Sequence, residues 1–243
     1  MTDTALVTGA SSGIGEAVVR AMRAEGMQVL AAARRMDRLQ RLSAETGCIP
    51  LELDVRDRDA VSALAEHRVD ILVNNAGMGR AMGTFTEATV DDIERQIDTN
   101  VTAALHVARA VLPGMIDRQK GHIVNIGSVA GLGAVPASIY GASKAAIHMF
   151  SRNLRLELHG TGVRVTEICP GRVTTEFYQV AFDDPAKRAR ASHTDGTELE
   201  PADIADGVLY AVTAPWRVNV SLLEIFPTEQ TYGGAQFVRA KGK

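Results

Sequence analysis

"TGASSGIG", residues 8–15, closes the short apolar run "TALVTG" (4–9) and leads straight into a stretch of helical period. Glycines suit such a strand-to-helix turn because they take conformations that a Cβ forbids and let the backbone approach a ligand. Gly9 is placed for the tight turn, Gly13 for close approach of a phosphate and Gly15 for close packing of the helix. The free N–H groups at the helix start would face an anion. The spacing is G-x3-G-x-G rather than G-x-G-x-x-G, so the usual dinucleotide fingerprint does not apply as written. A glycine-rich structural turn is the alternative for the octapeptide alone.

Outward from this turn, six more short apolar runs alternate with helical stretches: "MQVLAAA" (27–33), "CIPLELDV" (48–55), "DILVNNAG" (70–77), "HIVNIGS" (122–128), "VRVTEICPG" (163–171) and "SLLEIFP" (221–227). Near-continuous apolar strands separated by helices predict an α/β fold whose parallel sheet is covered on both faces. Ala17, Val18, Ala21 and Met22 give residues 16–25 one apolar helical face. Ile93, Ile97, Val101, Leu105, Ala108 and Leu112 predict one long helix over 89–118, buried along that side. Residues 174–200 carry mixed charge and little period before "PADIADGVLYAV" resumes a helix. An excursion of that length after the sixth strand suits a lid.

The 243 residues suit one domain, and no linker or repeat divides them. A net charge of -3 gives no basic field for nucleic acid or an anionic membrane. No apolar run approaches the ~20 residues of a membrane span, and "MTDTALVTG" has an acid where a signal peptide wants a cation. The expectation is a cytoplasmic protein. Cys48 and Cys169 lie in apolar runs without metal-ligand spacing and read as buried reduced thiols. No metal is expected.

"AAARRMDRL" (31–39) places Arg34 19 residues beyond Gly15, where a dinucleotide fold reads the adenosine ribose. An acid there accepts a bond from the 2′-hydroxyl of NAD, whereas Arg34 and Arg35 favour the 2′-phosphate of NADP. Ser11 could add a hydroxyl to the same phosphate. The other reading is a solvated start to an arginine-rich helix.

"YGASK" (140–144) sets Tyr140 and Lys144 one helical turn apart, with Ser128 twelve residues upstream at the end of the fifth strand. A phenol titrates near ~10 in water, so a nearby ammonium is expected to lower it and ready Tyr140 for proton transfer. Ser128 would hold the substrate oxygen while a nicotinamide carries the hydride.

"TGASSGIG", "DV" (54–55), "NNAG" (74–77), Asn100 in "DTNV", Ser128, "YGASK" and "PG" (170–171) stand in the order found in short-chain dehydrogenases/reductases, and the resemblance spans nearly the whole chain. It implies a single three-layer Rossmann domain over 1–243 with a seven-stranded parallel sheet and a catalytic tetrad of Asn100, Ser128, Tyr140 and Lys144. It also implies assembly as a homotetramer or dimer. Asn100 would support a proton-relay water, and Lys144 would also bind the nicotinamide ribose. NADP(H) would contact Gly9, Ser11, Ser12, Gly13, Ile14, Gly15, Arg34, Arg35, Asp54 and Val55. Asn75, Ala76, Gly77, Tyr140, Lys144, Pro170, Gly171, Val173 and Thr175 would complete that set. One departure is the Ser128–Tyr140 interval, a residue shorter than in many relatives, which shortens the loop "VAGLGAVPAS" beside the substrate.

"TTEFYQVAF" (174–182) and "APWRVNVSLLEIFPTEQTYGG" (214–234) resemble the branch of NADP-dependent 3-hydroxy acid and serine dehydrogenases, and sulfoacetaldehyde reductases. That resemblance implies a small polar carbonyl or alcohol substrate, often anionic. Arg172 is the candidate cation, its other reading being a solvent-facing loop arginine; Tyr178 would cover the substrate or pack the lid. His148, Met149 and Phe150 read as core or interface, and His106 and His122 as structural. The competing functions are a ketoacyl, steroid or secondary-metabolite ketone reductase, and an NADP-sensing regulator without turnover. The retained tyrosine and lysine speak against the regulator.

Overall fold

The structure, a computed structural model, describes residues 2–80, 82–194, 196–231 and 236–238. Asp195 of the expected lid and Tyr232–Gly234 of the tail segment lie outside the described residues. Seven strands form one parallel sheet: β1 (Thr4–Thr8), β2 (Gln28–Ala33), β3 (Ile49–Glu52), β4 (Ile71–Asn74), β5 (Gly121–Ile126), β6 (Val163–Pro170) and β7 (Leu222–Ile225). Their order is β3-β2-β1-β4-β5-β6-β7. All seven runs expected to be strands contain strands; the inner five are almost wholly buried and so need no polar alternation, while the edge strands β3 and β7 are only partly covered.

Alternate residues feed two cores. Ala5, Val7, Val29, Ala31, Ile71 and Val73 pack with Val18, Met22, Leu39, Ile204 and Val208. These come from α1 (Gly13–Ala24), α2 (Met36–Thr46) and α9 (Pro201–Thr213). On the opposite face Leu6, Leu30, Leu72 and Ile123 pack with Val61, Val107, Val111, Met115 and Leu154. Those belong to α3 (Arg58–Ser62), α5 (Ala103–Asp117) and α6 (Ser138–Glu157). The period of two along each strand thus becomes three layers.

The single helix expected over 89–118 is instead α4 (Val90–Ile97), a π-helical turn (Asp98–Thr102) and α5. The buried face is shifted: Gln96, Asn100, Ala103, Val107, Val111 and Met115 point inward together with the expected Ala108, Leu112 is partly buried, and Leu105 is exposed. A π turn inserts a residue and shifts the helical phase, and polar Gln96 and Asn100 hid the true buried stripe. The lid region is likewise not irregular. It contains α7 (Phe177–Ala181) and α8 (Pro185–Ser192). Asp184 caps α8 by accepting from the backbone N–H groups of Ala186 and Lys187, but α8 buries no residue, so no apolar period announces it.

Candidate active site

The chain runs β1 to β3 in one direction and returns to place β4 beside β1, so a crevice opens where the order reverses. The glycine turn fills one lip. Gly9 (φ 67°) and Gly13 (φ 54°) take left-handed backbone. A Cβ at Gly9 would lie 2.9 Å from Asn75 Nδ2, and one at Gly13 would lie 3.1 Å from Thr175 Cγ2. A side chain at Gly15 would strike the Gly9 carbonyl, so that glycine lets α1 start hard against the turn. From the β4 lip, the Asn75 and Ala76 N–H groups each donate to Thr8 Oγ1 at 3.0 Å, and Asn75 Nδ2 donates to Thr8 O at 2.9 Å. The Asn75 amide therefore braces the turn.

Every expected site residue except Gly15 and Asn100 lines one cleft of about 780 Å3. The strand order places Arg34, Arg35, Asp54 and Val55 on the β2/β3 side and Ser128, Tyr140, Lys144 and Pro170 on the β5/β6 side, with the glycine turn and Asn75–Gly77 between. Close approach of backbone at Gly9 and Gly13, helix N–H groups and flanking arginines fit an elongated, phosphate-bearing dinucleotide.

At the β5 end, Ser128 has left the strand in extended backbone and accepts from Ala130 N at 3.1 Å. Burial pushes the Tyr140 phenol up to about 12, opposed by its hydrogen bond with Ser128. Burial pushes Lys144 down to about 8. Lys144 Nζ donates to Ile126 O at 2.9 Å and lies 6.0 Å from the Tyr140 ring centroid. The expected lowering of the phenol by Lys144 is thus not met in this geometry, because desolvation outweighs an ammonium at that range. Gly131 lets the backbone of α6 come close: a Cβ there would sit 2.6 Å from the Lys144 carbonyl carbon.

Asn100 lies behind the cleft on the π turn. Its Nδ2 donates to Met78 O (2.9 Å) and Ser143 Oγ (3.1 Å), and its Oδ1 accepts from Met78 N (2.8 Å). Both donors are committed to protein, so its side chain ties the β4 loop to the helix of Lys144.

The two arginine clusters are more engaged than the sequence suggested. Arg35 donates to Ser11 Oγ (3.0 Å), Ser12 Oγ (2.7 Å) and Glu176 (3.1 Å), and Arg38 bonds the same carboxylate at 2.9 Å. Arg34 stands 4.0 Å from Asp54, whose carboxylate is held by Arg56. That Arg56 pair holds Asp54 below the usual carboxylate range. Arg172 is paired with Glu198 at 2.5 Å, donates to Ala191 O and lies over the Tyr178 ring at 4.4 Å from guanidinium carbon to centroid. Its charge is matched by Glu198. Sequence reading missed Glu176, Glu198 and Arg56, whose partners are remote or on loops, and Phe177, whose ring meets Tyr140 edge-on at 5.4 Å. It also missed Glu167, buried on β6 and bonded to the partly buried His148 at Nδ1 (2.7 Å). Cys48 and Cys169 are both buried.

The family model for short chain dehydrogenase matches residues 3–186. NADP-dependent 3-hydroxy acid dehydrogenase of Escherichia coli strain K12 is 43% identical over 239 residues, 94% of this chain and 96% of its own length. Sulfoacetaldehyde reductase 2 of Chromohalobacter salexigens is 40% identical over 96% of this chain and 97% of its own. Among solved structures, the closed form of serine dehydrogenase complexed with NADP+ is 42% identical, with a TM-score of 0.91 and coverage of 98% and 100% of the two chains.

Proposed function

Because the chain belongs to the short-chain dehydrogenase family, we propose that it moves a hydride between NADP(H) and a small polar carbonyl or alcohol. The observation that carries this reading is the meeting of Ser128, Tyr140 and Lys144 in the same cleft as the glycine turn and Arg35. When bound, NADP(H) supplies the hydride donor or acceptor. Gly9–Gly13 would take its phosphates, Arg34 and Arg35 its 2′-phosphate, and Lys144 its nicotinamide ribose, while Pro170–Val173 and Thr175 would flank the nicotinamide side.

The protein's own part is proton transfer and orientation. Tyr140 keeps its proton at neutral pH and so stands ready to give it to a carbonyl oxygen that Ser128 orients. Lys144 stays cationic below about 8 and favours the phenolate that this transfer leaves. In the reverse direction Tyr140 receives the alcohol proton. Asn100 positions Lys144 through Ser143. The likeness to dehydrogenases and reductases of hydroxy acids and sulfoacetaldehyde supports a substrate with an anionic end, which Arg172 would meet in competition with Glu198. The reading takes residues 1–243 as one catalytic domain with 174–200 as its lid. Homotetramer or dimer formation would cover apolar side chains exposed on α6, Met149 and Leu156, and also Tyr210 and Trp216.

A specific observation favours a second substrate reading. Met82, Val135, Phe177, Val180 and Phe182 give the cleft an apolar wall beside Tyr140, which suits a neutral ketone. Two matched aldehydes, one carboxylated or sulfonated and one a neutral isostere, separate the readings when NADPH oxidation is followed. Faster turnover of the anion supports the hydroxy-acid type of substrate. Equal or faster turnover of the neutral compound removes Arg172 from substrate binding.

A further inference from the structure

We propose that Glu176 is an internal anion that competes with the 2′-phosphate for Arg35, and thereby ties the root of the lid to which dinucleotide enters the cleft. The proposal rests on the NADP reading above.

Arg35 turns two edges of its guanidinium to different tasks. Its Nε and Nη2 reach the Ser11 and Ser12 hydroxyls of the glycine turn at 3.0 and 2.7 Å, and its Nη1 reaches Glu176 at 3.1 Å. Arg38 Nη1 meets both oxygens of the same carboxylate at 2.9 Å. The carboxylate thus already holds the cations at the mouth where a phosphate would seek them. The hydrogen bond from Arg38, then that from Arg35, holds Glu176 below the usual carboxylate range against partial burial, so it is charged at neutral pH.

Glu176 also sits at a lever point. Thr175 before it packs on Gly13, and Phe177 after it lies edge-on to Tyr140 and fills the space beside Gly79. One short segment therefore touches the glycine turn, the arginine pair and the tyrosine. A 2′-phosphate brought against Arg35 meets a like charge, which favours expulsion of Glu176. A 2′-hydroxyl brings no such charge, so NAD+ leaves Glu176 in place. Binding of the phosphate is weakened by the share of molecules in which Glu176 holds the arginines.

Glu176→Gln keeps the shape and removes the charge. Calorimetric titration with NADP+, NAD+ and 2′-AMP is expected to show the variant binding NADP+ and 2′-AMP roughly two- to fivefold tighter than wild type, the scale of exposed charge pairs, with NAD+ unchanged. Limited proteolysis within 177–194 gives a second readout. In wild type, 2′-AMP accelerates lid cleavage; in Glu176→Gln cleavage is fast from the start and insensitive to 2′-AMP. Equal or weaker binding of NADP+ by Glu176→Gln overturns the proposal. A double variant, Arg34→Ala with Arg35→Ala, separates the two ideas. If it retains the wild-type ratio of NADP+ to NAD+ affinity, the 2′-phosphate reading fails together with the proposal. If it loses that preference while Glu176→Gln gains nothing, only the competition by Glu176 fails.

Discussion

Tyr140 and Lys144 pose opposite problems of charge at the same depth. Burial favours the neutral form of each, pushing the phenol up to about 12 and the ammonium down to about 8. Near pH 7 the pair is therefore a neutral acid beside a cation, which is the combination that carbonyl reduction uses. As pH rises through about 8, Lys144 loses its proton and stops favouring the phenolate formed during transfer. Reductive kcat/KM is expected to hold below pH 8 and to fall above it, as read from initial rates of NADPH oxidation; a profile flat to pH ~10, near the ordinary lysine value, would contradict this role. The spacing of "YGASK" made this pair legible, because four residues make one helical turn. The engagement of Arg35 and Arg172 was not legible. Their carboxylate partners, Glu176 and Glu198, are brought to them by loops rather than by any local period.

Strands were the most readable elements, since parallel pairing in a doubly covered sheet forces continuous apolar runs. Helices were readable only where apolar side chains marked their buried face. The π turn carries Asn100 inward by breaking the expected stripe, so the stretch that holds this candidate residue is the one whose pattern misled. Polar residues inside strands have consequences too. His122 on β5 is buried, and Thr166, which donates to Val220 O, accepts from its Nε2 at 2.8 Å. Desolvation, aided by Arg164, pushes this imidazole down to about 3. An unfolded histidine binds its proton near ~6.5. As pH falls below that value the unfolded chain takes up a proton that the folded chain refuses, and stability drops by about 1.4 kcal/mol per pH unit until about pH 3. His122→Gln is expected to make the urea midpoint less sensitive to pH between 6.5 and 4.5; parallel slopes in the two proteins would show that His122 stays accessible to protons.

At the scale of the whole molecule, reversal of strand order between β1 and β4 decides where the cleft opens. It brings the glycine turn, the β4 loop, Ser128 and the α6 pair around one cleft. That arrangement was largely readable, because each part closes an apolar run. The 174–200 segment was readable only as a long excursion: α8 buries no residue, and ion pairs such as Arg80 with Asp183 at 2.9 Å leave no apolar period there. In the proposed function this cleft transfers a hydride while Tyr140 manages the proton. The most direct test is single-turnover oxidation of bound NADPH by a matched aldehyde in wild type and Tyr140→Phe, with NADPH affinity measured on both proteins. The expected result is a loss of at least ~100-fold in rate, the usual scale of a general acid, with affinity little changed. A Tyr140→Phe protein that binds NADPH and oxidises it at the wild-type rate would contradict the claim.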